Sequence, residues 1–431
     1  MLNQTRRNEI LALLKREVVP AVGCTEPAAV ALCTARCHDE LGGAPQEVSV
    51  WLSGNMIKNA MSVGIPGTGR TGLPVAIALG ALRGGAANGL EVLGGVSPED
   101  VKAADEYINS GVISIALKQG ACDVLYIEVT ARRGDKSVTA VISGQHTRFV
   151  YVGAPLNPHE PARDFQPCGT KADPQSDATP LRMREVWEMA TEAPLSEIEF
   201  IEEARTLNTH VSRCGLDTCH GHFVGRTLGG PAGNILGDTV FRHMISRTAA
   251  ACDARMGGAP EAVMSNSGSG NQGIVATMPV AVFAEENGID REHTLRALLL
   301  SHLTVVYIKQ SLGRLSALCG CVVAATGTAC GLAYLMGADY HKITDTVKNM
   351  IANLTGMICD GAKPGCAMKV ASGVSTAMMS ALLALGGSTV DATEGIIDND
   401  IDRSVANLGR IGREGMVNTD KLILNIMTCK E

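Results

Sequence analysis

The chain is poor in aromatic side chains, with two Trp, six Tyr and six Phe among 431 residues. A core without large rings must be built from small and aliphatic side chains, which favours close helix–helix approach. A dominant charge is lacking too: 37 basic and 44 acidic residues give a net charge of −7. That balance argues against a surface for nucleic acid or anionic lipid. Residues 1–17 are charged and contain no apolar segment of the secretory kind. Internal repeats, heptads and low-complexity tracts are absent. At 45% hydrophobic and 19% charged, the composition rules out disorder as the main state. The length allows two domains or three. Two uncharged stretches, 315–338 and 370–390, are long enough to span a bilayer. Gly, Ser and Thr interrupt both, and neither carries Trp or a basic cluster as an interfacial anchor. They are read as buried helices, and the protein as having no membrane contact.

What is abundant is glycine and cysteine, at 48 and 14 residues. Glycine is about one residue in nine, against roughly 7% in ordinary chains. Without a leader, fourteen cysteines point to reduced thiols in a cytoplasmic setting rather than to a disulfide framework. Many will be small buried hydrophobes.

Residues 7–40 read as helix broken near Val19-Pro20, with a rigid loop at Gly23-Cys24 and a restart at Pro27. Residues 47–53 alternate, placing Val48, Val50 and Leu52 on one strand face. Leu125, Ile127, Val129 and Ala131 alternate likewise, Gly134-Asp135 turns the chain, and 137–143 and 147–152 return as a hairpin or meander. Six prolines mark 154–180 as a boundary. No convincing strand follows; instead Leu295, Leu299, His302, Leu303 and Val306, then Ile343, Val347, Met350, Ile351, Leu354 and Ile358, follow helical spacing. The expected architecture is an α+β N-terminal half with a small antiparallel sheet (1–153), a Pro-rich linker (154–180) and a mostly all-α C-terminal half (181–431). The scarcity of charge in the C-terminal helices is compatible with a homodimer.

Four cysteines form the leading constellation. Cys319 and Cys321 interrupt two apolar helical segments, Cys359 closes the 343–358 stripe, and Cys366 precedes a new helix. Thiols at element ends beside Gly and Pro suit a metal, because backbone N–H groups can approach the sulfurs. Soft thiolates select zinc or iron–sulfur centres. The C-x-C and C-x6-C spacing fits no zinc-ribbon formula, and packing beside an ordinary turn is the competing reading. Cys214, Cys219, His220 and His222 form a second, weaker cluster, because two His at i, i+2 point apart on a helix.

Cys24 lies before a helix N-terminus, where the dipole favours thiolate but Glu26 opposes it; Thr25 is a candidate helix cap. Ser265, Asn266, Ser267, Gly268 and the residues to Gly273 form a polar run abutting an apolar helix, a cradle for a small carboxylate or simply a polar loop. It is neither a Walker loop nor a dinucleotide fingerprint. Asn55, Lys58 and Asn59 follow the first strand and offer amide donors with one cation, as a solvated helix face also would. Lys309 and Arg314 flank the approach to Cys319.

Together these pieces resemble the iron–sulfur L-serine dehydratase α-chain superfamily, and most of all its L-cysteine desulfidase branch. The matching segments are Gly23-Cys24-Thr25-Glu26-Pro27, Ser53-Gly54-Asn55-x2-Lys58-Asn59, Val63-Gly64-Ile65-Pro66-Gly67, 265–273, Leu318-Cys319-Gly320-Cys321 and the run from Cys359 to Cys366. The resemblance implies a [4Fe–4S] cluster held by three cysteines, with one iron open to substrate and no pyridoxal phosphate. Carried onto this chain, the ligands are Cys359, Cys366 and one of Cys319 or Cys321, with Cys319 preferred. It further implies elimination of sulfide from L-cysteine to pyruvate and ammonia, with Cys24 as the catalytic thiolate or as an extra cluster ligand. Asn55, Lys58, Asn59 and Ser265, Asn266, Ser267 and Gly268 are then candidates for holding the α-carboxylate. A short spacing of the last two cysteines and the lack of a recognisable regulatory domain favour desulfidase over serine or threonine dehydratase. A zinc-stabilised carboxylate-binding protein is the non-enzymatic alternative.

Overall fold

A computed structural model describes residues 2–120, 122–157, 180–313 and 316–429. Most of the proline-rich 154–180 segment, and Arg314, lie outside the described residues. The N-terminal half is α+β and the C-terminal half is helical, as the periodicities imply.

One five-stranded sheet runs in the order β3-β2-β4-β5-β6, built from β2 (Glu47–Leu52), β3 (Ile113–Leu117), β4 (Tyr126–Arg133), β5 (Lys136–Ser143) and β6 (Phe149–Gly153). The β4–β5 hairpin closes at Gly134, whose φ of +58° suits glycine. Pairing is antiparallel except that the edge strand β3 joins β2 in parallel. The sequence reading contains no strand at β3, whose side chains are mostly exposed and carry little burial signal. One face of the sheet is covered by the helices Thr25–Leu41 and Leu73–Arg83. These two helices meet at Gly80, where a Cβ would fall 2.4 Å from the Ala31 carbonyl oxygen. Small residues at that crossing do what a shortage of aromatics demands.

A separate core joins the C-terminal helices, and Ile10, Leu14, Val18 and Cys24 from the chain's start belong to it. The link is a second, two-stranded sheet: β1 (Pro20–Val22) pairs antiparallel with β7 (Ala262–Met264), matching Ala21 to Val263. Three-residue strands are too short for alternation to be read, so this sheet too is new relative to the sequence reading. Its effect is large, because it lays the loop after β1 against the loop after β7. The helix Gly320–Leu335 is buried along nearly its whole length. Cys366–Leu385 is apolar and long enough to cross a membrane, with 44% of its most apolar window buried.

Candidate active site

Several chain segments, far apart in sequence, converge on one cavity of about 110 Å³, enough for several waters or a small amino acid. The segment after β1 brings Cys24, Thr25 and Glu26; the start of the helix Gly270–Glu286 brings Asn271 and Gln272. Arg255 comes from the end of the helix Val240–Met256, and the remaining wall holds Cys319, Cys321, Cys359, Cys366 and Lys369.

Cys24, rather than Thr25, occupies the N-cap position of the helix Thr25–Leu41, and it makes no side-chain capping bond. Thr25 instead donates to the Gly268 carbonyl at 2.9 Å, tying the two loops together. The turn before Cys24 needs Gly23: its φ is +68°, and a Cβ would lie 2.3 Å from Pro66 Cγ. The Cys24 Sγ–H donates to Glu26 Oε2 at 3.1 Å. Burial pushes the Cys24 thiol well up, Glu26 adds to this, and Arg255 opposes it.

The other thiols sit where their segments begin or end. Cys319 is the N-cap residue of Gly320–Leu335, and Cys366 opens Cys366–Leu385. A two-residue bridge between Leu318 and Ile358 binds the segments: Cys359 N–H donates to Ala317 O at 2.7 Å and Cys319 N–H to Met357 O at 3.0 Å. Residues 40 apart in sequence thereby become neighbours. The Cys321 partner pulls the Cys319 thiol down to about 7, against the effect of burial. The hydrogen bond with Cys319 raises Cys321 strongly and burial adds to it; its sulfur lies against the helix Cys366–Leu385, where a Cβ on Gly373 would be 3.6 Å away. Burial pushes Cys359 up to about 11, with Cys319 adding and Lys58 opposing. Cys366 is raised by burial as well.

Lys58 is 2% exposed; it pairs with Asp420 and donates to the Cys359 carbonyl at 3.4 Å, so it braces the thiol-bearing loop from behind. Asn59 lines the cavity, whereas Lys58 and Asn55 are not among its lining residues. Asn266 and Ser267 face inward: Asn266 bonds His302, and Ser267 Oγ donates to Asn266 Oδ1 at 2.8 Å. Neither they nor Ser265 and Gly268 are among the lining residues. The helix starts at Gly270, not at Ile274, so the end of the polar run forms a helical first turn that aims Asn271 and Gln272 at the cavity. Lys309 lines the wall. The second cysteine cluster is dispersed: Cys214 contacts Thr218, and Cys219 accepts from Arg226.

Among the described residues, no three His, Cys, Asp or Glu side chains close on a point that would hold a single ion. An iron–sulfur cluster asks for something else, since each thiolate binds a different corner of an extended core. Cys319, Cys359 and Cys366 around one cavity supply that donor set, Cys319 buried and the other two partly exposed. Gln272 Oε1 is also buried there without a hydrogen-bond partner.

Arg255, Glu26 and Lys369 are among the lining residues to which the sequence assigns no binding role. Arg255 is one of 37 cations and carries no local motif.

Residues 87–425 match the family model described as serine dehydratase alpha chain. A UPF0597 protein of Bacteroides fragilis is 52% identical over the whole of both chains. UPF0597 proteins of Oleidesulfovibrio alaskensis and Photobacterium profundum are 44% and 42% identical, covering 97% and 98% of this chain and 97% and 99% of their own.

Proposed function

This chain belongs to the serine dehydratase alpha chain family, and from that premise we propose that it is an iron–sulfur L-cysteine desulfidase. The observation that supports this most is the gathering of Cys319, Cys359 and Cys366 around the cavity that also holds Cys24. The three thiols would hold a [4Fe–4S] cluster, Cys319 being preferred to Cys321 because the latter's sulfur lies against the helix Cys366–Leu385. When bound on three thiolates, such a cluster supplies one iron as a Lewis acid for the leaving group.

The protein's own residues then have separable tasks. Cys24 lines the same cavity with its proton directed at Glu26 Oε2. Burial and Glu26 keep the thiol protonated in the free protein, so its proton would move to Glu26 only once substrate is bound, leaving a thiolate to take the α-hydrogen as the Cβ–S bond breaks. One sulfide and one α-proton are lost, and the resulting 2-aminoacrylate takes up water to give pyruvate and ammonia. Arg255, Asn271 and Gln272 line the cavity beside Cys24 and limit the space open to water. The reaction needs no pyridoxal phosphate, and cysteines that must stay free to hold a cluster call for a reducing, cytoplasmic setting.

The family's description favours a second reading, in which hydroxide leaves from L-serine at the same site. Anaerobic visible-absorption titration of the iron–sulfide-reconstituted protein separates the two. A cluster band perturbed by L-cysteine more than by L-serine, with sulfide and pyruvate formed in equal amounts, is the expected result. A band responsive to serine alone replaces the first reading by the second, and the absence of any band removes both.

A further inference from the structure

We propose that Arg255 and Glu26 form a two-ended clamp for a zwitterionic α-amino acid, Arg255 taking the α-carboxylate and Glu26 the α-ammonium. The inference rests on reading the cavity as an amino-acid lyase site. It moves carboxylate recognition away from Lys58 and the 265–268 loop, whose polar groups are already committed.

Arg255 is 3% exposed. Its Nη1 donates to Asn271 Oδ1 at 3.1 Å and its Nη2 to the Gly23 carbonyl at 2.9 Å. These two bonds fix the plane of the guanidinium and leave the rest of its donor fork unused. Nε is sealed from solvent without a partner, lying against Gly270, where a Cβ would come within 2.1 Å. No carboxylate among the described residues lies within ion-pair distance of Arg255. The other cations of the wall differ: Lys369 pairs with Asp360 at 2.6 Å, and Lys309 is already engaged. A buried guanidinium held only by neutral partners is costly until an anion arrives. A carboxylate matches its fork geometry.

Glu26 provides the opposite end. Both of its hydrogen bonds, from Cys24 Sγ at 3.1 Å and Thr25 Oγ1 at 3.2 Å, land on Oε2. Oε1 has no partner among the described residues, while the side chain lines the cavity. An ammonium placed there is held beside Cys24, which puts the α-hydrogen near the thiol.

The test is calorimetric binding to the reconstituted full-length protein under anaerobic conditions. L-cysteine is compared with cysteamine, which lacks the carboxylate, and 3-mercaptopropionate, which lacks the ammonium. Each analogue should bind at least about 30-fold more weakly than L-cysteine, the low end for removing one partner of a buried charge pair. Arg255→Gln should erase the preference over cysteamine alone, and Glu26→Gln the preference over 3-mercaptopropionate alone. Arg255→Lys, which keeps the charge, should restore part of it. Because Arg255 also ties down Gly23, each variant's Tm is read beside its affinities, and the wild-type comparison needs no variant. Equal affinity of the wild type for all three ligands overturns the clamp, as does an Arg255→Gln variant that weakens L-cysteine and cysteamine equally. A preference for L-serine over ethanolamine that Arg255→Gln erases, with none of the three sulfur ligands bound at all, upholds the clamp and overturns the desulfidase reading instead.

Discussion

The Asn266 side-chain amide donates to both the Nδ1 and the carbonyl oxygen of His302, at 3.1 and 3.0 Å. A carbonyl only accepts, so the amide nitrogen must face it, and His302 Nδ1 is therefore an acceptor as well. The imidazole proton sits on Nε2, directed at Thr277 Oγ1 2.9 Å away. The Thr277 hydroxyl in turn donates to the Gly273 carbonyl at 2.7 Å. This chain of bonds holds the 265–270 loop from beneath in one orientation, and it works only with a neutral imidazole.

Acid should therefore weaken the fold through His302. Burial holds this group down to about 3, against about 6.5 in an unfolded chain. Between those values the unfolded state binds the extra proton, so stability falls as pH drops below about 6.5 and the loss saturates near 3. The slope from this one group is about 1.4 kcal/mol per pH unit. Urea unfolding across that range should show it, and His302→Gln should flatten it by about one proton.

Serine substitution should sort the thiols. Cys319→Ser, Cys359→Ser and Cys366→Ser should each lose most of the iron and the visible band after reconstitution. Cys321→Ser should keep most of both, since its sulfur lies against Gly373. Iron and acid-labile sulfide assays read the outcome, and retention of iron by Cys319→Ser with loss in Cys321→Ser would exchange the two assignments.

Removing the proposed proton acceptor should spare the centre and stop the chemistry. Cys24→Ala should retain iron content and fold while turnover falls by about 10²-fold or more. Full turnover in this variant removes Cys24 from catalysis, and loss of iron makes it a ligand instead.

The loop that carries Cys359 depends on a glycine. Gly361 has φ +91°, and a Cβ there would fall 2.1 Å from the Lys58 carbonyl oxygen. Gly361→Ala should cost about 1–3 kcal/mol from conformation alone, with more from the clash. Because Lys58 also braces Cys359, iron uptake should fall together with Tm.

Much of this arrangement is legible in the sequence where a pattern is local. Val48, Val50 and Leu52 alternate and are all buried, and the glycines beside Cys319, Cys359 and Cys366 mark element ends before any coordinates are known. Arg255 is invisible by the same means, because its meaning comes from Gly23 and Asn271, far away in sequence. Gln272 was hidden by its polar neighbours, whose composition reads as loop although the helix has begun. The strands β1 and β7 escape for a third reason: three residues hold less than two periods of alternation, and their pairing is set by partners more than 200 residues apart.

That last pairing imposes an order of events on synthesis. Cys24 and Glu26 leave the ribosome early, yet the strand that seats their loop is made only when residues 262–264 appear, and Cys366 follows later still. Contacts of such long sequence separation form late, after loop closure has been met. All strands of the sheet of β2 to β6, and the two helices that cover it, lie within residues 25–153. A chain interrupted before its second half thus carries a finished sheet and an unseated Cys24, exposed to oxidants that the completed protein keeps out.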